Sequence, residues 1–407
     1  MNNYLKLGWR NIWRNKRRTL ITIASIFFAM LFALVMRSFQ FGSYDHMVNN
    51  VVQSYTGFIQ VQNKNYWDDK VIDNTFSISD SLIDLVKSSY NITDVVPRLE
   101  TFALASYKMQ TKGVMVIGIQ PSVEDHLTHL SKRIIKGNYL DDENSGLLVS
   151  ERLAAYLKID VNDSLVLIGQ GYHGMSANGI YPVKGIIHLP TPDLDNKMIY
   201  MNLKSCEYLY SAPDMLTSLS LNIKDPHDLD ATVAELSKKL NSNTYAVLSW
   251  KDILTDLVQQ IEIDDYSGQI MLGILYMVIT FGVFGTVLMM TSERKREFAV
   301  MVAVGMQKTK LSIIVLIEMI FIGIIGTIAG MIGSLPIIIY YYLNPIRLTG
   351  EYEKMMEAYG IEPIMPMALN WEIFLNQFII VLILVLVAIA YPLISISRIN
   401  VIKGLRG

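Results

Sequence analysis

Four apolar stretches constrain this chain before anything else does: Thr19 to Met36, Ile270 to Met290, Leu311 to Leu343 and Phe378 to Ile396. A helix rises about 1.5 Å per residue, so about 20 residues cross roughly 30 Å of hydrocarbon. All four are long enough to span. They carry the excess in a chain that is 51% hydrophobic and only 18% charged, a composition greasier than that of an ordinary soluble domain. The first stretch follows Lys16-Arg17-Arg18, as the core of a secretory signal does. No small-x-small cleavage site comes after it, so it reads as an uncleaved anchor.

Charge then orients the chain. Residues 1–18 carry six basic residues and no acid, the segment 293–310 carries five basic residues against Glu293 and Glu297, and the tail adds Arg398, Lys403 and Arg406. Residues 41–267 hold 18 basic and 29 acidic residues, and the loop 344–372 holds two basic and five acidic. Short positive loops stay in the cytoplasm. The expectation is a multi-pass protein of a bacterial cytoplasmic (inner) membrane with both termini inside. Its pieces are a cytoplasmic amphipathic helix 1–18, transmembrane helix 1 over 19–40, an extracytoplasmic domain 41–267 and transmembrane helix 2 over 268–292. A cytoplasmic segment 293–310, helix 3 over 311–343, an external loop 344–372, helix 4 over 373–396 and a cytoplasmic tail 397–407 complete it. The fold class is a membrane all-α bundle of four transmembrane helices, with a large α+β extracytoplasmic domain inserted between helices 1 and 2.

That domain alternates strand-like and helix-like segments. Short β-branched or alternating runs predict strands at Phe58 to Gln62, Val114 to Ile119, Leu147 to Val149, Ser164 to Ile168, Val183 to Ile187, Ile199 to Asn202 and Ser218 to Ile223. Helices are predicted at Ser79 to Ser88, Glu151 to Leu157, Leu203 to Tyr210 and Leu229 to Leu240, with a further one from Trp250 to Tyr266 leading into helix 2. The glycine-rich Gly169 to Gly179 reads as a loop, either a flexible contact surface or a hairpin connection. The only cysteine is Cys206, so no internal disulfide supports the domain and its own core must.

Before helix 1, Leu5, Trp9, Ile12 and Trp13 recur at helical spacing, with Lys6, Arg10, Arg14 and Arg17 on the opposite stripe and Arg18 following. That pattern predicts an interfacial helix, its tryptophans at the headgroup boundary and its basic face toward anionic lipid. In helix 3, Glu318 sits about 10 Å in from the cytoplasmic start, counted at 1.5 Å per residue. An acid at such depth is costly and must face protein or water. The same helix carries Gly323, Gly326, Gly330 and Gly333, a surface for close helix packing. Helix 2, with Gly273, Gly282 and Gly285, is the expected partner.

Catalytic patterns are missing from the sequence. No Gly-Lys dipeptide occurs, so there is no phosphate loop, and neither His-Glu-x-x-His nor Gly-x-Ser-x-Gly is present. His126 and His129 have a metal-like spacing without an evident third ligand. An acidic external domain in a membrane setting excludes nucleic acid. What remains is the segment from Glu293 to Lys310. Read as a helix, it has a charged beginning (Glu293, Arg294, Lys295, Arg296, Glu297) and an apolar side of Phe298, Met301, Val302 and Gly305. A short element of this kind between two spans can sit in a groove of a soluble partner and transmit its motion.

At these residues the chain resembles the FtsX-like permeases of the ABC superfamily. The likeness is carried by Trp9-Arg-Asn-Ile-Trp-Arg-Asn-Lys-Arg-Arg18, by Glu293-Arg-Lys-Arg-Glu297 with Ala303-Val-Gly305, by Glu318 and the glycines after it, and by Tyr391-Pro392 with Gly404-Leu-Arg-Gly407. Ser150-Glu-Arg-Leu-Ala154, Leu157 and Val183-Lys-Gly-Ile186 resemble the family's external domain, whereas Asn162-Asp163 stands where Gly-Asp is usual. The resemblance implies a homodimer, or a heterodimer with a related permease, bound to a separate ABC ATPase that docks around 293–306. ATP and Mg would belong to that partner, and this chain would hold no cofactor or metal. The implied function is release or export driven by movement of the external domain, with lipoproteins of the inner membrane as leading cargo. Peptide or drug efflux, or signalling by mechanotransmission without transport, are the rivals. A periplasmic carrier would engage the loop Gly169 to Tyr181.

Overall fold

The computed structural model describes residues 2–14, 16–142, 145–358 and 363–398. The tail from residue 399, including Gly404-Leu-Arg-Gly407, lies outside them. In chain order the elements used below are α1 (Asn2–Arg14), α2 (Lys16–Val51), β1 (Ile59–Asn63), α3 (Asp80–Lys87), β2 (Ile92–Tyr107), β3 (Gln110–Ile119), α4 (Pro121–Thr128), β4 (Ile134–Gly137), β5 (Leu147–Ser150), α5 (Glu151–Leu157) and β6 (Ser164–Gln170). They continue with β7 (Ser176–Ile187), β8 (Met198–Asn202), α6 (Leu203–Leu209), β9 (Ser218–Ile223), α7 (Leu229–Lys239), β10 (Tyr245–Ser249), α8 (Thr255–Glu293), α9 (Lys295–Ala303), α10 (Lys308–Leu343) and α11 (Trp371–Ser397). The described residues fall into two compact units, one within 1–45, 260–347 and 364–398, the other within 46–259 and 348–363.

In the first unit, α2, α8, α10 and α11 are each long and apolar enough to cross a membrane. At about 54 and 58 Å by the helical rise, α2 and α8 are far longer than a bilayer's hydrocarbon needs. Their continuation has a local cause. Arg37 Nη1 donates to Asp265 Oδ1 and to Gln40 Oε1, both at 2.7 Å. Gln40 Nε2 donates to the Tyr44 hydroxyl at 2.7 Å, and that hydroxyl donates to Asp264 Oδ2 at 2.6 Å. Arg37, Gln40 and Tyr44 each also reach the facing helix, Gln40 through Nε2 to Asp264 O at 3.1 Å, so the two helices stay paired beyond their apolar stretches.

The glycines of α10 lie where a Cβ would not fit. At Gly326 it would fall 2.7 Å from Ile26 Cβ, at Gly330 2.6 Å from Met30 Cβ, at Gly333 2.7 Å from the Phe27 ring and at Gly323 2.8 Å from Val385 Cγ1. The close partners of this surface are therefore α2 and α11. The expectation of α8 is corrected: its Gly273, Gly282 and Gly285 have nothing within 4 Å of a Cβ. Half of the most apolar stretch of α10 is buried within the chain, against 17% for α8.

The second unit is built on a ten-stranded mixed sheet in the order β10-β1-β9-β2-β3-β8-β5-β7-β4, with β6 paired to both β2 and β7. The pairs β3–β8 and β5–β7 are parallel, and β1 pairs antiparallel with β9 and β10. Where both faces are covered, as along β5 and β8, every residue of the strand is buried and the run is almost wholly apolar. Along β5, Leu147 and Val149 enter the core that includes α3, α5, α6 and α7 residues, while Leu148 enters a second core with Ile117, Ile119 and Tyr200. Between β6 and β7 only residues 171–175 are irregular. Most of the glycine-rich stretch is thus a paired hairpin, with Gly169 opposite Ala177.

Candidate functional site

α9 joins α8 to α10 and has two unlike sides. Phe298 and Ala299 are buried, and Met301 and Val302 are half-buried against the cluster formed by Ile12, Phe298, Leu311, Val315 and Met319. The apolar stripe legible in the sequence therefore points into the chain's own bundle. On the other side Lys295, Arg296, Val300, Ala303 and Val304 are exposed, Val300 by 44% and Val304 by 83%. Gly305 ends the helix. Its φ of +104° lies in the left-handed region, its N–H donates to Val302 O at 3.1 Å, and Met306 N–H donates to Met301 O at 3.0 Å. This is a Schellman stop, which favours glycine because it lacks a Cβ.

Glu318, buried to 1% on α10, accepts from Arg294 Nη1 at 2.8 Å on Oε1 and 2.9 Å on Oε2. Arg294 is itself only 12% exposed. Its guanidinium lies 5.1 Å from the centre of the Phe298 ring, and its Nε is 3.6 Å from Glu297. An isolated carboxylate at this depth would be expelled or neutralised; the pairing explains how α10 keeps it. Two more ion pairs tie the N-terminal helices to the same segment, Arg14 with Glu297 and Arg18 with Glu293. Their spacing was a signal missed in the sequence: Arg14 and Arg18 are four apart, as are Glu293 and Glu297.

α1 lies along α10 beside this joint. Ile12 is fully buried, and a Cβ on Gly8 would fall 2.9 Å from Ile317 Cγ2. Trp9 stands edge-on to Trp13 at 6.1 Å and to Phe321 at 5.8 Å. Both tryptophans are 46% exposed, and Arg10, Arg14 and Arg17 are exposed beside them. This is the amphipathic arrangement an interfacial helix needs.

In the second unit, Glu151, His188 and Asp195 bring potential ligand atoms within 4.8 Å of one another. Asp195 is fully buried and accepts from the backbone N–H of Glu151 and Arg152, both at 3.2 Å, and of Leu189 at 3.0 Å. Those donors make it a cap for the start of α5. Burial raises its carboxyl above the usual carboxylate range, against those bonds and the nearby His188. His126 and His129 are not in this group; His129 ends α4 with φ of +51° and places Nδ1 3.0 Å from Asp125 O.

Two family models match the chain: the FtsX-like permease C-terminal over residues 270–401 and the MacB-like periplasmic core domain over residues 19–239. The chain belongs to the FtsX-like, MacB-type ABC permeases. Among curated relatives, the lipoprotein-releasing system transmembrane protein LolC of Neisseria meningitidis serogroup B is 21% identical over 269 residues, 64% of this permease and 65% of that protein. LolC of Xylella fastidiosa is 22% identical over 260 residues, 62% of each chain. An uncharacterized ABC transporter permease of Methanocaldococcus jannaschii is 21% identical over 231 residues, 56% of this permease and 55% of that one. The permease thus spans between 55% and 65% of the length of these relatives. Of solved structures, the periplasmic region of MacB from Actinobacillus actinomycetemcomitans aligns at a TM-score of 0.36 and 11% identity, covering 52% of this permease and 98% of that chain. The extracellular domain of YknZ from Gram-positive bacteria aligns at 0.33 and 15%, covering 43% and 90%.

Proposed function

We propose that this permease is the membrane subunit of an ABC transporter in which a separate ATPase, holding ATP and Mg, docks on the outward side of α9 and moves the large domain. The domain stands outside the membrane, inserted between the first and second spans, and both termini are cytoplasmic. Lipoprotein release from the inner membrane is the leading activity, supported by the LolC relatives. The observation that carries the reading is α9 itself. It is anchored by Phe298 on one side and leaves Val300 and Val304 uncovered beside Lys295 and Arg296 on the other. The sparse cover on α8, where Ile270, Met271, Ile274, Met277 and Phe281 are each at least 58% exposed, supports a dimer with a second copy or a related permease. The β6–β7 hairpin is the place for a periplasmic carrier.

The test follows from which side of α9 is free. Met301→Glu would disturb the permease's own core, whereas Val304→Glu changes only the outward surface. Burying an unpaired carboxylate in an interface costs several kcal/mol, and about 3 kcal/mol is more than a hundredfold in affinity. Val304→Glu should reach the membrane at the wild-type level and lose the co-purifying ATPase. Full recovery of ATPase with both Val304→Glu and Val300→Glu would refute docking on this surface.

A further inference from the structure

Glu318 stands where three elements meet. α10 carries it, α9 supplies Arg294 immediately before its first turn, and α1 lies against the adjoining turn through Gly8 on Ile317. The Arg294 guanidinium is held from several sides: by both oxygens of Glu318, by the Phe298 ring and by Glu297. Glu297 in turn pairs with Arg14, and Glu293 with Arg18. The inner pair and the outer pairs differ in kind. Glu318 is 1% and Arg294 12% exposed, whereas Arg14 and Glu297 are 56% and 49% exposed. Solvent screens the outer pairs, so they set register. The inner pair sits in a low dielectric, where separating the charges is costly.

We propose that Arg294 and Glu318 form the joint through which displacement of α9 reaches α10, with Arg14 and Arg18 fixing the N-terminal helices to the same moving part. The inference rests on α9 being the ATPase docking element. Ordinary apolar packing allows a surface helix to slide over the one beneath it. A buried ion pair does not, because sliding by one residue would leave the Glu318 carboxylate buried without its partner. α9 and the Glu318 turn of α10 are thereby one mechanical body, joined across the Gly305 turn by a second, non-covalent link.

The experiment is hydrogen exchange on the full permease purified with its ATPase, with and without ATP and vanadate. In the wild type, nucleotide should change exchange in both 295–303 and 313–322. Glu318→Gln keeps the shape and removes the charge. It should keep the wild-type membrane level and ATPase recovery, yet confine the nucleotide response to 295–303, with the response in 313–322 falling at least fivefold. The charge-exchanged pair Arg294→Glu with Glu318→Arg should restore at least half of it. Transmission to 313–322 in Glu318→Gln at the wild-type level would overturn the proposal. So would loss of ATPase recovery in that variant, which marks a folding role, or failure of the exchanged pair to rescue. Should the wild type recover no ATPase, docking fails and the joint is still tested on the permease alone. There Glu318→Gln must speed exchange in 295–303 and 313–322 together by at least tenfold, and unchanged exchange overturns it.

Discussion

Gly330→Ala adds one methyl at a point where α10 has no space for it. The new Cβ would lie 2.6 Å from Met30 Cβ and 2.8 Å from the Phe27 carbonyl oxygen. Carbon atoms rest at roughly 3.5–4.0 Å from one another, so α2 and α10 must part by about 1 Å. A gap of that size forfeits about a quarter to a half of each dispersion contact along the seam. Overpacking of this kind costs about 1–3 kcal/mol, while the better helix propensity of alanine returns up to about 1 kcal/mol. The steric term wins because one obstacle is a backbone carbonyl, which no change of rotamer moves. At Gly282 the balance reverses: nothing lies within 4 Å, so alanine there should be neutral or stabilising. Gly326→Ala meets Ile26 Cβ at 2.7 Å and Ile23 O at 3.2 Å. One parting of the helices relieves both sites, so the double variant should cost less than the two singles added together. Reversible unfolding in detergent, followed by fluorescence at equal protein concentration, measures all four variants against the wild type. Gly330→Ala and Gly282→Ala of equal stability would show that α2 and α10 do not pack as described.

Arg98 and Glu124 form a fully buried pair in the large domain, with Nε to Oε2 at 2.9 Å and Nη2 to Oε1 at 2.5 Å. Glu124→Gln should destabilise that domain by about 3 kcal/mol, since an arginine is left buried without its partner. Cys206 offers the readout: it is fully buried and burial pushes its thiol up, so maleimide at neutral pH should label it only after unfolding, at lower denaturant in the variant. Unchanged labelling would remove the pair from the domain's stability. For topology, Met109→Cys, at a hairpin position 97% exposed, should react with an impermeant thiol reagent in intact cells and Ser397→Cys should not; the reverse pattern would overturn the orientation.

The four spans were legible because a window of apolar residues needs no tertiary information. Their ends were not: α2 and α8 continue through Arg37, Gln40, Tyr44, Asp264 and Asp265, residues that read as the end of a span until each is seen paired with the facing helix. β2 escaped sequence reading for a related reason. Arg98 and Glu100 are buried within it, whereas Phe102 and Leu104 are about half exposed, so its hydropathy runs against its burial. Periodicity showed that α10 has a small face but could not say that Ile26 and Met30 fill it. Of the stripe read on α9, Phe298, Met301 and Val302 share the inward side while Gly305 is the exposed stop that follows the helix, and an apolar stripe on a surface helix serves its own core or a partner equally well. Only Phe298 packed among Leu311, Val315 and Met319 decides which.

The position of β1 in the sheet sets a schedule for biosynthesis. Gln62 pairs with Ser218 and Asn63 with Tyr245, so β1 emerges roughly 160–180 residues before either neighbour. At about 5–20 residues per second of chain elongation, that is a wait of roughly ten to forty seconds. Ile59 to Gln62, all buried in the finished sheet, remain an open strand edge for that time, a template for misassembly. The domain cannot close until translation has reached the start of α8, and a nascent chain stalled anywhere before β10 leaves β1 available to the wrong strand.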